Sequence, residues 1–312
     1  MSIKARKRVI NEILGDGYRH GTENLYFCPN CSHHKKKLSV NFEKNVFKCW
    51  VCDYSGKDLR RVVRKYGQFY HLRDWQSLQG ESETRTLKED LFAKDDLLPE
   101  QKVEIPSSFC SLANKGLPIS SLSARGYLKD RGLAQRDIVR WKIGYCNSGK
   151  YSDRVVIPSF GLTGHCNYFV ARSYKNDWKK YMNPNVGKDI IFNELYIDWD
   201  SDLILVEGVF DAIVAGPNAV PILGSTLRED SKLFKRIVEN DTSIYLALDP
   251  DAEKKTNRIS KKFLEYGIET RKISVGPFRD VAEMSKEEFK KRFNDAELIT
   301  EDNYLLKTIM SL

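Results

Sequence analysis

The sequence contains no apolar run of the length that a membrane-spanning helix needs, which is about 18 residues. Its first segment, MSIKARKRVINEILGDG, lacks the apolar core of a secretory signal. A G-x-x-x-x-G-K-[ST] segment is also missing, which excludes a P-loop motor on this chain. These absences predict a soluble, intracellular protein that does not have a membrane as partner.

The residues that are present provide material for two or three domains and carry an uneven charge. The chain has 312 residues, of which 41% are hydrophobic and 11% aromatic, enough for packed cores. The net charge is +8, and residues 1–70 hold nine Lys and six Arg against six acids, a net of +9, which leaves about −1 for the remainder. A basic first segment suits a phosphate backbone, because neutralising phosphates releases condensed counterions. The alternative is a cationic face that only confers solubility.

Four of the seven cysteines fall in two close pairs, CPNC and CWVC, which are separated by seventeen residues. The pairs are Cys28 with Cys31 and Cys49 with Cys52. In an intracellular protein this spacing indicates a metal site rather than disulfides. Four thiolates complete a tetrahedron around one Zn²⁺ and leave no open position, so such a zinc ion would be structural. His33 or His34 could replace one cysteine, and the other three cysteines receive no role.

The segment between the two pairs predicts a β-hairpin. Apolar residues alternate at Leu38, Val40 and Phe42, and residues 43–45 have turn composition. After the second pair, GKDLRRVVRKYG predicts an amphipathic helix, because Leu59, Val62, Val63 and Tyr66 fall on one stripe. A hairpin between two knuckles and a following helix are typical of a zinc ribbon.

Cations and aromatic residues occur together in this ribbon. They are Lys35, Lys36, Lys37 and Lys48 with Phe42, Phe47 and Trp50. Single-stranded nucleic acid is bound by such pairs, since bases stack on rings and phosphates pair with cations. The alternative is that the rings pack the core of the ribbon, and we expect this of at least one of them.

Strands and helices alternate in the second half of the chain. The predicted strands are 203–206, 219–223, 244–248 and 269–275, and the predicted helices are 209–215, 230–239 and 252–266. This alternation predicts an α/β fold with a mostly parallel sheet. Before it, DRVVIPSFG and HCNYFVARSY predict a hairpin that turns at GLTG. The segment SLSARGYLKDRGLAQRDIVRWKIGY predicts two short helices, which are separated at Gly132, with Gln135 to Trp141 as the second.

Acidic residues follow three of the predicted strands. Glu207 comes directly after LILV, Asp249 and Asp251 follow SIYLAL, and Asp280 and Glu283 follow ETRKISV. Because parallel strands end at one edge of a sheet, these acids should meet there. Hard oxygen ligands of this kind suit two or more Mg²⁺ or Mn²⁺ ions that bridge to phosphates. The alternative, that they are helix N-caps, explains one acid at each site but not the whole series.

Glu207, Gly208 and Asp211 form an E-G-x-x-D motif, and Asp249 and Asp251 form a D-x-D motif after it. These two motifs in this order resemble the TOPRIM domain of primases, topoisomerases and related nucleases. With a zinc ribbon before it, the chain resembles the DnaG-type DNA primase family, especially its bacteriophage members. The middle segments YLKDRG, RVVIP, KKYMNP and AVPILGSTL are similar to motifs of that family, so the resemblance covers nearly the whole chain.

The resemblance implies roles for particular residues. Arg154, Arg172 and Lys180 would contact nucleotide phosphates or template. Glu207, Asp249 and Asp251 would bind metal, with Asp280 as a fourth ligand. The sequence departs from the family at YFVAR, where the family has a glycine-rich F-G-G-R, at the Cys-x-x-Cys of the first knuckle, and at FRDVAE, which matches the third acidic motif loosely.

The resemblance also implies a domain order. It comprises a zinc-ribbon template-binding domain at 1–72, a linker at 73–102, the N-terminal basic subdomain of an RNA polymerase core at 103–200, a TOPRIM metal-binding subdomain at 201–284, and a helical tail at 285–312. The fold class is therefore α/β, with a mixed α+β subdomain and a small zinc-ribbon β domain before the TOPRIM-type sheet.

The function that these motifs favour is DNA primase, a nucleotidyltransferase that copies single-stranded DNA into short RNA primers from ribonucleoside triphosphates. The rivals are a type IA topoisomerase, a TOPRIM nuclease and a non-catalytic single-strand-binding adaptor. Too few residues follow the acidic motifs for a topoisomerase gate. A nuclease would leave the ribbon and the middle motifs unexplained, and the adaptor would leave the intact acidic set unexplained.

Because a motor motif is missing, we expect a separate replicative helicase as partner, docked through the residues after 285. The expected location is the cytoplasm at the replication fork, or the host cytoplasm or nucleoid if the chain is phage-encoded. The recognition sequence, the primer length, the oligomeric state and the action of the ribbon in cis or in trans do not follow from the sequence.

Overall fold

The computed structural model describes residues 3–52, 54–56, 58–78, 91, 100–175, 177–224 and 227–300. The chain divides into two compact units, Met1–Thr86 and Leu87–Leu312. The division falls inside the segment predicted as the linker.

In its described residues, the first unit contains a five-stranded antiparallel sheet and three helices. Its strands occur in sheet order, and they are β1 (Tyr18–His20), β2 (Glu23–Tyr26), β3 (Leu38–Asn41), β4 (Val46–Cys49) and β5 (Ser55–Gly56). Its helices are α1 (Ile3–Leu14), α2 (Arg60–Tyr66) and α3 (Phe69–Leu78).

The predicted hairpin and amphipathic helix are both present. Strands β3 and β4 pair across a turn in which Asn45 adopts a left-handed φ of 56°. Leu59, Val62 and Val63 are buried at the start and along one side of α2. The sequence reading did not anticipate α1, which buries Val9 and Ile10 in the same core.

The second unit contains a four-stranded antiparallel sheet. Its strands occur in the order β6 (Phe109–Ser111), β7 (Gly144–Cys146), β8 (Arg154–Phe160) and β9 (Cys166–Ser173). Strands β8 and β9 form the predicted hairpin with its turn at 161–165. The predicted helix pair is α4 (Leu122–Asp130) and α5 (Gln135–Arg140).

A second sheet in this unit is mostly parallel, in the order β11-β10-β12-β13-β14. Its strands are β10 (Leu203–Val206), β11 (Ala219–Pro221), β12 (Ile244–Ala247), β13 (Thr270–Lys272) and β14 (Glu297–Ile299). The helices are α6 (Val209–Ala215), α7 (Lys232–Asn240), α8 (Glu253–Glu265) and α9 (Lys286–Asn294). The first four strands in this order are parallel, and only β14 runs antiparallel to its neighbour β13.

The central strand β10 is apolar throughout because both of its faces are covered. Leu203 and Leu205 pack in one hydrophobic cluster, whereas Ile204 and Val206 pack in another on the opposite face. A strand buried on two sides reads as a continuous apolar run. Glu207, which directly follows this buried strand, is partly exposed.

Two details differ from the sequence prediction. Helix α3 continues to Leu78, beyond the predicted end of the first domain at 72. The tail predicted as helical contains α9 and then strand β14, because pairing with β13 satisfies the backbone of residues 297–299. Residues 301–312 of that tail lie outside the described residues. In the described part of the chain, no helix combines the length and apolarity needed to cross a bilayer.

Candidate functional site

The predicted acidic residues lie at the carboxyl edge of the parallel sheet. Glu207 directly follows β10, Asp249 follows β12 by two residues, and Asp280 lies in the loop after β13. Because these strands are parallel neighbours, all three chain segments leave the sheet at one edge. The sequence prediction of one shared edge is thus supported by the topology.

This edge borders an open cavity of about 790 Å³. The side chains that line it carry charges of both signs, and they include Asp249, Asp251, Asp280, Glu283, Arg131, Arg172, Lys180 and Arg279. Acidic groups from the strand ends thus face basic groups from the preceding subdomain across one cleft. Such a cleft suits a ligand that carries both phosphates and divalent cations.

Asp249 and Asp251 reach the cleft by a route that differs from the prediction. An extended chain was expected to place both carboxylates on one side. Instead, Pro250–Ala252 forms a 3₁₀ turn, which begins after the extended backbone of Asp249. Both side chains line the cavity nevertheless.

Asp249 lies where negative charge is crowded. Its burial raises the pKa of the Asp249 carboxyl to about 7, and the charges of Asp211, Glu207 and Asp280 add to the effect. Its Oδ1 atom is buried and accepts no hydrogen bond from the described residues. A buried carboxylate oxygen without a donor is costly unless a cation compensates it. Asp249 is therefore the strongest candidate ligand for a divalent cation.

Glu207 has a cationic neighbour in the structure. Lys255 of α8 donates from Nζ to Oε2 of Glu207 at 3.1 Å, and both side chains are about one-fifth exposed. The ammonium group offsets part of the negative charge beside Asp249. The sequence analysis did not identify Lys255, which lies about one helical turn after the D-x-D segment and belongs to no motif.

Asp211, the last residue of E-G-x-x-D, acts as a connection between two loops. Its Oδ2 accepts from the backbone N–H of Gly208 at 2.9 Å, and its Oδ1 accepts from the backbone N–H of Ala282 at 2.8 Å. Burial raises the pKa of the Asp211 carboxyl to about 6, while the two N–H groups act against this rise. Asp211 thereby fixes the loop after β10 to the loop after β13, and with it the position of Asp280.

Asp280 and Glu283 occupy the third loop with different partners. Asp280 accepts from the backbone N–H of Glu283 at 2.9 Å and still lines the cavity. Glu283 instead accepts from Arg279 Nε at 2.6 Å, and this ion pair lowers the pKa of the Glu283 carboxyl. Of the two acids, Asp280 is the one that keeps its predicted place beside Asp249.

Arg154 does not reach the cleft, although it was predicted to contact nucleotide or template. Its side chain is 4% exposed, and Nη2 donates to Asp177 Oδ2 at 2.6 Å. Nη1 donates to the carbonyl oxygen of Lys179 at 3.0 Å. The first residue of β8 therefore turns inward and holds the loop that follows β9, since a buried guanidinium needs an anionic partner.

Arg172 and Lys180, for which the same contacts were predicted, both line the cleft. Arg172 lies near the end of β9, and its guanidinium covers the ring of Tyr181 at 4.5 Å from the centroid. Arg131 was missed as a cleft residue, although it is the arginine of the YLKDRG motif. Its guanidinium lies 4.5 Å from the ring centroid of Phe210, which holds it at the cavity wall.

The first unit brings its four paired cysteines together. All four Sγ atoms lie within 4.8 Å of one another, and the separations are 3.7 Å for Cys28 to Cys52 and 3.9 Å for Cys31 to Cys49. An ideal tetrahedron with metal–sulfur bonds of about 2.3 Å has edges of about 3.8 Å. Neither His33 nor His34 belongs to this group. The geometry fits a four-cysteine metal site.

Local polar contacts support one of these thiolates, that of Cys52, whereas burial raises the pKa of the Cys28 thiol. The Asn30 side-chain amide lies 3.6 Å from Cys52 Sγ, and a hydrogen bond with the backbone of Tyr54 lowers the pKa of the Cys52 thiol to about 6. Among the described residues, these cysteines are the one group of three or more potential ligands within 4.8 Å. The acidic residues of the second unit are more widely spaced.

The aromatic residues of the ribbon divide between core and surface. Phe42 and Phe47 are buried, which confirms the expectation that at least one of these rings packs in the core of the ribbon. Trp50 is 67% exposed. Lys48 Nζ lies 5.0 Å from the Trp50 ring centroid. A second pair, Lys36 over the half-exposed Phe27 at 5.3 Å, was missed because Phe27 directly precedes a predicted metal ligand.

Comparison with known proteins adds an independent observation, although no family model matches the chain. A curated DNA primase of Lactococcus lactis is 24% identical over 286 residues, which cover 75% of this chain and 44% of the relative. The Aquifex aeolicus primase, solved with its zinc-binding and RNA polymerase domains, matches with a TM-score of 0.50 and 20% identity over 96% of this chain and 87% of that chain. The chain resembles the DnaG-type primases.

The resemblance to DnaG-type primases that the motifs indicated is thus confirmed by sequence and by fold. A DnaG primase catalytic domain, solved bound to single-stranded DNA, matches with a TM-score of 0.51 and 20% identity over 73% of this chain and 84% of that chain. The chain spans about half the length of the curated DnaG-type relatives that it matches.

Proposed function

We propose that this chain is a DNA primase, which synthesises short RNA primers on a single-stranded DNA template during replication. The observation that carries the proposal is the cleft itself. Acidic residues from parallel strand ends and basic residues from the preceding sheet meet around one cavity, in a chain with the fold of DnaG-type primases. The mostly parallel sheet with Glu207, Asp249 and Asp251 at its edge would then be a TOPRIM arrangement.

The residues present fit catalytic Mg²⁺ or Mn²⁺. Asp249 has a buried oxygen without a hydrogen-bond donor, and its raised pKa reports uncompensated negative charge. Glu207, Asp249, Asp251 and Asp280 offer the hard oxygen donors that such ions prefer. When bound, the ions would stabilise charge on the attacking and leaving oxygens of nucleotidyl transfer.

The basic residues would position the substrates. In the reaction, the 3′-hydroxyl of one ribonucleotide attacks the α-phosphate of the next, and pyrophosphate leaves. Arg172 and Lys180 line the cleft opposite the acids, where they would neutralise triphosphate charge and hold the nucleotide in line. Arg131 joins them on the same wall. Catalysis of this kind depends on orientation and electrostatic stabilisation, without a covalent enzyme intermediate.

The four-cysteine cluster would hold one structural zinc ion. Its sulfur separations match a closed tetrahedron, so the ion would stabilise the ribbon and take no part in the chemistry. The exposed Trp50 beside Lys48 would contact the single-stranded template. A replicative helicase on a separate chain and a location at the replication fork complete the proposal, and both rest on the resemblance alone.

The proposal is tested by replacing Asp249 with Ala and supplying template, ribonucleotides and Mg²⁺. We expect labelled ribonucleotide incorporation to fall by at least about 10²-fold, the scale of losing one preorganised electrostatic contact. Glu287→Ala is the control, because Glu287 is exposed on α9 and does not line the cleft. Unchanged synthesis by Asp249→Ala would refute the metal assignment. Template binding by the unaltered chain without any incorporation would support the adaptor instead.

A further inference from the structure

One large aromatic side chain of the second unit stands almost wholly in solvent. Trp178 is 93% exposed, the highest value of any large hydrophobic residue in the described part of the chain. A single exposed apolar residue needs no explanation by itself. The surroundings of Trp178 are what distinguish it.

The backbone on both sides of Trp178 is fixed by buried and local polar contacts. Arg154 donates to the Asp177 carboxylate at 2.6 Å and to the Lys179 carbonyl oxygen at 3.0 Å. The backbone N–H of Lys179 donates to Asp177 Oδ1 at 3.0 Å, which closes a turn around Trp178. An internal arginine thus anchors a loop whose central side chain makes no contribution to the core. The indole is presented on a preorganised support.

This support stands beside the cleft. Lys180 lines the cavity, and two residues of chain span at most about 7 Å. The backbone N–H of Ser173 donates to the Lys180 carbonyl oxygen at 2.9 Å, which ties the segment to the end of β9. Tyr181 follows with the Arg172 guanidinium over its ring. Two rings and three cations therefore lie close together at the end of β9, and two of these cations, Arg172 and Lys180, line the cleft.

We propose that Trp178 stacks on an unpaired base of the template strand at the entrance of the cleft, an inference that rests on the proposed function. Exposed rings interleaved with cations bind single-stranded nucleic acid, because every base offers a π-face and every nucleotide a phosphate. A protein partner would explain the exposed ring, but not its place beside Lys179, Lys180 and Arg172.

The experiment measures binding of the full chain to fluorescent single-stranded templates in which one base at a time is replaced by an abasic site. For the unaltered chain, we expect one position at which loss of the base weakens binding about tenfold, the scale of one stacked base. For Trp178→Ala, binding to the intact template should weaken about tenfold, and the abasic site at that position should have no further effect. Trp178→Phe should keep binding within about threefold, because it keeps a ring.

Ile119→Ala is the matched control, since Ile119 is 85% exposed and lies outside the cleft lining. An abasic profile that is the same in Trp178→Ala and in the unaltered chain would overturn the inference. Loss of helicase stimulation in Trp178→Ala with unchanged template binding would also overturn it, in favour of a protein partner. The binding measurement does not need catalysis. If the chain makes primers but no template position depends on Trp178 for binding, this inference alone is refuted. A Trp178-dependent position without any synthesis refutes the proposed function instead.

Discussion

The cysteine cluster and the carboxylate cleft differ in how far the folded chain assembles each of them without a cation. The four Sγ atoms already lie at the separations of a metal tetrahedron. The carboxylates are spread around an open cavity, and burial, together with the charges of the neighbouring acids, raises the pKa of Asp249 to about 7. The first arrangement leaves no room for a substrate, whereas the second leaves both room and charge. The contrast agrees with the proposal of a structural site in one unit and a reactive site in the other.

The largest effect should come from removing one thiolate of the four-cysteine cluster. Replacing Cys31 with Ser removes one of four thiolates, and structural zinc contributes about 10–16 kcal/mol to the folding of small metal domains. We expect bound zinc to fall from one per chain to none, and the unfolding transition of the first unit to disappear. Metal analysis and circular dichroism measure the two effects.

Cys110→Ser is the control for this substitution, because Cys110 lies in β6 and outside the cluster. Full zinc content in Cys31→Ser would show that the cluster is not the zinc site.

A smaller effect should distinguish the two arginines that were predicted to act together. Arg154→Met breaks a buried ion pair with Asp177, and we expect the free energy of unfolding of the second unit to fall by about 3 kcal/mol. Asp177→Asn should lower it as well, and the double variant should lose less than the sum, because both residues belong to one interaction. Urea unfolding measures all three.

Arg172→Met serves for comparison, because Arg172 lines the cleft. It should raise the KM for ribonucleotides without a comparable loss of stability. The positioning role of Arg154 would be wrong if Arg154→Met raised this KM and left the unfolding free energy unchanged.

The smallest effect should be on the Mg²⁺ requirement of the carboxylate cleft. Lys255→Met removes the ammonium group that pairs with Glu207 at 3.1 Å. A partly exposed pair of this kind is worth about 0.2–1 kcal/mol. We therefore expect the Mg²⁺ concentration for half-maximal synthesis to fall about threefold, because a competing cation is gone. Lys261→Met, on the exposed part of α8, should leave it unchanged. A higher Mg²⁺ requirement in Lys255→Met would show that Lys255 supports the site rather than competes for it.

Much of this arrangement was predictable from local sequence. The run LILV predicts a strand that is covered on both faces, and Glu207 directly after it is predicted to lie at the edge of the sheet. The two C-x-x-C pairs and the alternation between them predict the ribbon, because thiolate spacing and strand period are local properties. The resemblance to DnaG-type primases then identified Arg172 and Lys180 as cleft residues.

What could not be predicted depends on contacts between distant residues. Nothing in RVVIP reveals that Arg154 turns inward, because its partner Asp177 lies 23 positions later and only the folded hairpin brings the two together. Trp50 and Phe47 are both aromatic residues next to Lys48 or near it in the sequence, but Trp50 is exposed and Phe47 is buried. Lys255 meets Glu207, and Arg131 reaches the cleft, only through the placement of whole helices.

The contact of Asp211 with the third loop is made to the main-chain N–H of Ala282. Any residue except proline can supply that group. This hydrogen bond to Asp211 can therefore be kept in evolution when the side chain at position 282 changes. Proline at position 282 should remove this connection, whatever the other side chains of the loop are, because it has no main-chain N–H to donate.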